Sequence, residues 1–293
     1  MENDLENIIE LNKINFESSE LATICRSLNS LYTPLLSDRK IWNILRDGLP
    51  EDIFNDIKQL QIDTIGHKII NDLIMNYYPN ERVIKYHLIK EQLNKTNEVT
   101  FFELNVDSSR VDLCRVNGKS IAYEIKTEFD NVSRIEKQIN DYLKVFEYVY
   151  IIAHKSHIEK IKAIVPEICG IKEYSIKSGN CTFKPVRKAI KNKNINFKAQ
   201  IRNLSSEDLR LVLREFGFKN IPSSRIDREE IIYKNIGERK INNLYKLAIK
   251  LRFSSQWQFL CKNFDKIMPI DIQSFFHSPI EPETIYYKSS SIV

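Results

Sequence analysis

The sequence predicts an α/β fold, with a mixed sheet in the middle of the chain and helices on both flanks. Three observations carry this. Apolar residues recur at helical spacing near both ends, as in Leu21, Ile24, Leu28 and Leu31 or Leu209, Leu213 and Phe216. Two strand-like runs in the middle meet at Asn117-Gly118, a dipeptide suited to positive-φ turns. An amphipathic helix pattern then leads into a further apolar strand, as in a crossover.

In chain order, residues 1 to about 75 read as helical, from Leu5, Ile8 and Ile9 onward, punctuated by Pro34 and Pro50. A helix is expected over Glu81 to Leu93. Strands follow at Val99 to Val106, Arg110 to Val116 and Lys119 to Thr127. Ser133 and Glu136 have capping-box spacing and should open a helix whose apolar face is Ile135, Ile139, Tyr142, Leu143 and Phe146. Tyr148 to Ala153 reads as a strand. Ser156 with Glu159 suggests a second capping box, and Gly170 to Ile176 another strand. The expected core is therefore α-β-β-β-α-β-α-β. Residues 177–203 read as a basic connection. Ser205 or Ser206 should then cap a helix that Gly217 stops, and another starts near Asp227. The tail after Pro279 reads as disordered. The expected divisions are 1–78, 79–176, 177–203 and 204–293.

Composition narrows the function classes. The 293 residues carry 44 Lys+Arg and 39 Asp+Glu, a net charge of +5. No stretch approaches the ~20 consecutive apolar residues of a membrane span, and the acidic N-terminus lacks a signal core. Five cysteines without CxxC spacing argue against a disulfide scaffold or zinc ribbon and fit a reducing cytoplasm. No GxGxxG or GxxxxGK[ST] loop occurs. Between Glu173 and Glu207 lie eight basic residues and no acid, among them Lys184, Arg187, Lys188 and Lys191. Such a block suits phosphate contacts; the competing reading is a solvated linker.

Candidate chemistry centres on Asp112 and Glu124-Ile125-Lys126. In a strand Glu124 and Lys126 share a face. Two carboxylates offer hard oxygens to Mg²⁺ or Mn²⁺, and a neighbouring cation can orient or deprotonate a water. The register decides whether they meet. A two-residue turn at Asn117-Gly118 would put Asp112 and Glu124 on opposite faces. A three-residue loop, 117–119, or a bulge would put them together. Gln138 and Tyr142, at i and i+4, share the helix face that packs toward the sheet. His154 and His157 lack a third ligand and read as helix-start residues, the cysteines as inert thiols, and Trp42 and Trp257 as packing.

Asp112, Glu124-Ile125-Lys126 and Gln138-Ile139-Asn140-Asp141-Tyr142 together resemble the PD-(D/E)xK nuclease superfamily with a QxxxY motif, over roughly residues 80 to 172. The resemblance implies a restriction-endonuclease-like αβββαβ core and metal ligation by Asp112, Glu124 and the Ile125 carbonyl. It implies Lys126 at the attacking water, Glu103 as a further acid and Arg134 at a phosphate. Val111 replaces the usual proline, and either Glu81 or Glu91 would be the first-helix glutamate. Residues 204–236 look similar to SAP-type helical hairpins. The expectation is a cytoplasmic, Mg²⁺- or Mn²⁺-dependent nuclease acting on nucleic acid, DNA favoured, without membrane partners; a homo-oligomer is left open. The alternatives are an inactive nucleic-acid-binding module on the same fold, or a protein-interaction scaffold.

Overall fold

The computed structural model describes residues 18–93, 95–177 and 179–287. The expected helix over Leu5, Ile8 and Ile9 lies outside them. The chain divides into two compact units, one of Met1–His87, Ile176–Asn180 and Phe259–Val293, the other of Leu88–Ser175 and Cys181–Gln258. These divisions differ from those read in the sequence, because the C-terminal segment folds with the N-terminal helices.

The first unit is mainly helical. It contains α1 (Ser18–Leu31), α2 (Asp38–Gly48), α3 (Glu51–Lys58) and α4 (Gly66–Tyr77). Leu28, Ile41, Leu45, Ile53, Ile70 and Leu73 form its buried core. Each such aliphatic side chain contributes about 1.5–3 kcal/mol on burial. Trp42 packs in the same core, as expected.

Helix α5 (Glu81–Lys90) precedes a six-stranded sheet in sequential order: β1 (Val99–Val106), β2 (Ser109–Val116), β3 (Ser120–Lys126), β4 (Tyr148–His154), β5 (Gly170–Lys177) and β6 (Asn180–Arg187). β1–β2 and β2–β3 are antiparallel, whereas β3–β4 and β4–β5 are parallel. The sheet is therefore mixed, as the sequence predicts. Helix α6 (Ile135–Leu143) makes the β3–β4 crossover, and α7 (Ile158–Ile164) the next. Strand β3 is buried along its length except at Lys126, the near-continuous apolar pattern of a central strand covered on both faces.

Three local expectations fail. Ser133 does not cap α6: Arg134 occupies the N-cap without a side-chain bond, and the Ser133 N–H donates to Asn131 Oδ1. Ser156 does not cap α7, because a 3₁₀ turn intervenes and His154 Nδ1 accepts the Ser156 N–H. The basic connection is not a linker at its start: Asn180–Arg187 is β6, followed later by α8 (Phe197–Asn203). By contrast, α9 (Ser206–Glu215) has Ser205 as N-cap in a full capping box with Asp208. It stops at Gly217, whose φ of +94° lies in the left-handed region that favours glycine.

After α10 (Arg225–Asn235) and α11 (Glu238–Asn263) come α12 (Ile272–His277) and α13 (Pro282–Ile285). Phe253 on α11 stacks on Phe101 of β1 with ring centroids 4.3 Å apart. The segment after Pro279 is not featureless: it includes α13, and Tyr286 donates to buried Asp271 at 2.7 Å. No helix among the described residues is long and apolar enough to cross a membrane.

Candidate active site

The register is that of the three-residue loop. Val116 pairs with Ser120 and Leu113 with Tyr123, so 117–119 form the loop, closed by the Asn117 N–H donating to the Lys119 carbonyl. Continued by one residue, this register sets Asp112 across from Glu124. The ladder itself ends at Leu113–Tyr123. Beyond it, Asp112 Oδ2 accepts the Ile125 N–H at 2.6 Å. A side chain thus replaces a strand-to-strand bond.

Glu124 is fully buried in the central strand. A carboxylate there is costly without partners. Lys126 Nζ donates to its Oε1 at 2.5 Å, and the Tyr142 hydroxyl lies 2.7 Å from its Oε2. The same hydroxyl is 2.7 Å from the Arg110 carbonyl. Its single proton can serve only one of these acceptors. Burial works against the charge of Lys126, but Glu124, then Asp112 and Asp130, outweigh it and hold the ammonium above its ordinary pKa. Burial, reinforced by Glu124, pushes the Tyr142 phenol well up.

Helix α6 is fixed against β1 and β2 by polar contacts. Asp141 Oδ2 accepts from Ser109 Oγ at 2.7 Å, and Lys144 bridges Asp107 and Asp141, each at 2.8 Å. Gln138 sits one turn before Tyr142, and its shielded Oε1 has no hydrogen-bond partner. Asp130 accepts both the N–H and the hydroxyl of Thr127 at 2.7 Å, shaping the turn after β3. The sequence reading missed Asp130 and Asp141. The Thr127-x-x-Asp130 spacing is a signal that could have found the first.

Asp112, Glu124, Lys126 and Tyr142 therefore come together. Glu103 is different. It lies at the β1 position across from Asp112 but has a φ of +54° and pairs with Arg110 at 3.0 Å. Among the described residues no three His, Cys, Asp or Glu side chains gather as a metal group, so Glu103 does not complete a trio with the other two acids. Glu81 pairs with Lys85 in the helical unit, and Glu91 lies past the end of α5. His154 and His157 bond locally to Ser156 and the Thr127 carbonyl. Among the described residues no cysteine is joined in a disulfide.

The basic candidates split. Arg134, Lys184 and Lys188 are exposed. Arg187 is turned inward: it donates to the carbonyls of Cys169 at 2.8 Å and Pro166 at 3.0 Å. Lys191 pairs with buried Glu147 at 3.2 Å, beside Lys246 at the same distance.

Residues 75–275 match the family described as Bacteriophage P4 protein cII. The chain belongs to that family. The matched span contains the whole sheet and every residue of the acidic cluster. Protein cII of Enterobacteria phage P4 is 25% identical to this cII-family chain over 146 residues, which is 50% of the chain and 55% of that protein. The chain thus spans about half the length of that relative. A solved structure of a protein of unknown function from Silicibacter pomeroyi aligns at 14% identity and a TM-score of 0.30, over 48% of this chain and 92% of that one.

Proposed function

We propose that this cII-family chain is a divalent-metal-dependent nuclease of PD-(D/E)xK type. The observation that carries the reading is the register: it sets Asp112 across from Glu124, with Lys126 donating to Glu124. The donor set suits Mg²⁺ or Mn²⁺, because carboxylate and carbonyl oxygens are hard ligands. The acceptor surplus at Tyr142 and the unpartnered Gln138 Oε1 fit the same demand for positive charge. Asp112, Glu124 and the Ile125 carbonyl would hold the ion. Such an ion, when bound, polarises a phosphate and makes water a better nucleophile.

The chain's own groups have distinct tasks. Lys126 is held charged by Glu124, so it serves as a cation that orients water and balances phosphate charge, not as a general base, which would need a lowered pKa. Tyr142 fixes the Glu124 carboxylate, and Asp112 fixes the mouth of the β2–β3 pair. Exposed Arg134, Lys184 and Lys188 are available to the phosphate backbone of DNA.

One observation favours a second reading, an inactive nucleic-acid-binding module: both oxygens of Glu124 already have protein partners. Incubation with circular, linear and single-stranded DNA and with RNA, with and without Mn²⁺, separates the two. Mn²⁺-dependent cleavage that Glu124→Gln and Lys126→Ala abolish while binding persists supports the nuclease. Cleavage undiminished in both variants sinks it. Binding without cleavage, and no heat with Mn²⁺ or Mg²⁺ in calorimetry, leaves the binding module.

A further inference from the structure

A second charged site lies on α9 and α11 and is lined by none of the residues of the acidic cluster. Arg210 and Arg214 are four residues apart on α9 and so share a face. With Arg252 of α11 they line a groove of about 230 Å³ that also contains Glu207, Asp208 and half-exposed Leu251. Three guanidiniums meet two carboxylates there, but the carboxylates are not equally available. Asp208 is buried, and its Oδ2 accepts from the N–H of Ser205 at 2.7 Å, from its hydroxyl at 2.6 Å and from Arg252. Its charge is committed to the capping box and one arginine. Glu207 is largely exposed and 3.7 Å from Arg210, beyond hydrogen-bond distance, so screening by water makes that pair weak.

The arginines retain capacity. Arg214 is exposed. Arg252 keeps an Nε–H that is shielded from water and without a hydrogen-bond partner, although its terminal nitrogen binds Asp208. Planar guanidinium donors match the tetrahedral oxyanion of a phosphate, and several on one groove exceed what its free carboxylate can balance. Just past the end of α9, Phe216 and Phe218 stack with centroids 6.1 Å apart, and Lys240 lies 5.3 Å from the Phe216 ring. Cations interleaved with half-buried aromatic rings are the composition that tracks a strand and stacks its bases.

We infer that the α9–α11 groove is a phosphate-binding site whose ligand is the phosphodiester backbone of a nucleic-acid strand. It deepens the proposed function by placing a strand contact outside the cleavage residues, and it rests on the nucleic-acid part of that reading, not on turnover. Arg225 and Arg228, the arginines of the neighbouring helix, do not share the role. Arg225 donates to the Leu204 carbonyl at 2.9 Å, and Arg228 to the carbonyls of Pro222 at 2.6 Å and Ser206 at 2.8 Å.

The test measures fluorescence anisotropy of labelled single- and double-stranded DNA with the full chain, without divalent cation, over a range of salt. The double variant Arg210→Gln/Arg214→Gln should bind roughly tenfold or more weakly, with the slope of log affinity against log salt smaller by about 1–2. Circular dichroism should be unchanged, since neither side chain is buried. Undiminished affinity and slope in the arginine variant, with DNA bound by the wild type, would overturn the groove and leave the cleavage reading intact. Binding lost in that variant, with no cleavage by the wild type under any condition, upholds the groove and removes the nuclease. Calorimetry with inorganic phosphate distinguishes the sources: phosphate bound through Arg210 and Arg214 by a chain that binds no DNA overturns the strand assignment.

Discussion

The Asp112 carboxylate takes the Ile125 N–H at 2.6 Å, at the point where the β2–β3 ladder ends. One side chain therefore has two tasks, closing the strand pair and presenting negative charge beside Glu124. Substitutions can separate them. Asp112→Asn keeps an oxygen for the Ile125 N–H and removes the charge, so thermal stability should stay close to wild type while metal-dependent cleavage is lost. Asp112→Ala leaves the N–H without its acceptor and should cost about 1–3 kcal/mol in addition. Denaturant titration beside a cleavage assay measures both. Full activity in Asp112→Asn would remove the residue from the chemistry.

Arg187 is held by backbone carbonyls of the fold. Its guanidinium spans the carbonyls of Cys169 and Pro166, just past the C-terminal end of α7. Arg187→Ala should destabilise the chain by about 1–3 kcal/mol, because the part-buried Cys169 and Pro166 carbonyls lose their donor. Arg187→Lys should recover only part of this, since an ammonium lacks the fork that reaches two carbonyls. The salt dependence of DNA binding should not change in either variant. A slope reduced by about 1 in folded Arg187→Lys would return the residue to the phosphate contacts.

How much was legible follows from where each signal lies. The second and third strands could be read because Asn117-Gly118 separates their runs, and the Glu124-x-Lys126 and Gln138-xxx-Tyr142 spacings act within single elements. The meeting of Asp112 with Glu124 turned on one residue of loop length, which the dipeptide alone left open and the Asn117–Lys119 hydrogen bond settles. β6 was hidden because it is an edge strand carrying Lys184 and Pro185, residues that protect an edge but read as a linker. The capping boxes at Ser133 and Ser156 do not form because Asn131 and His154 accept the Ser133 and Ser156 N–H groups that the Glu136 and Glu159 side chains would take in such a box. The Tyr32–Asp271 bond joins positions 239 residues apart, a separation that no local pattern reports.

That last contact also sets a pH dependence. Asp271 is fully buried in the helical unit and accepts from the hydroxyls of Tyr32 at 2.8 Å and Tyr286 at 2.7 Å. Burial raises its pKa from 3.8 to about 6, against the lowering effect of those two donors and of Arg82. The folded chain thus holds this proton to higher pH than the unfolded chain does. Its stabilising contribution is fully present below about pH 4 and is lost as pH rises to about 6, a change on the order of 3 kcal/mol. Asp271→Asn keeps an acceptor for the tyrosines and cannot ionise, so the variant should gain on the wild type across this window. The difference between their urea midpoints, followed from pH 4 to pH 7, isolates the residue from other titrating groups. A constant difference would mean that Asp271 titrates alike in the folded and unfolded chains.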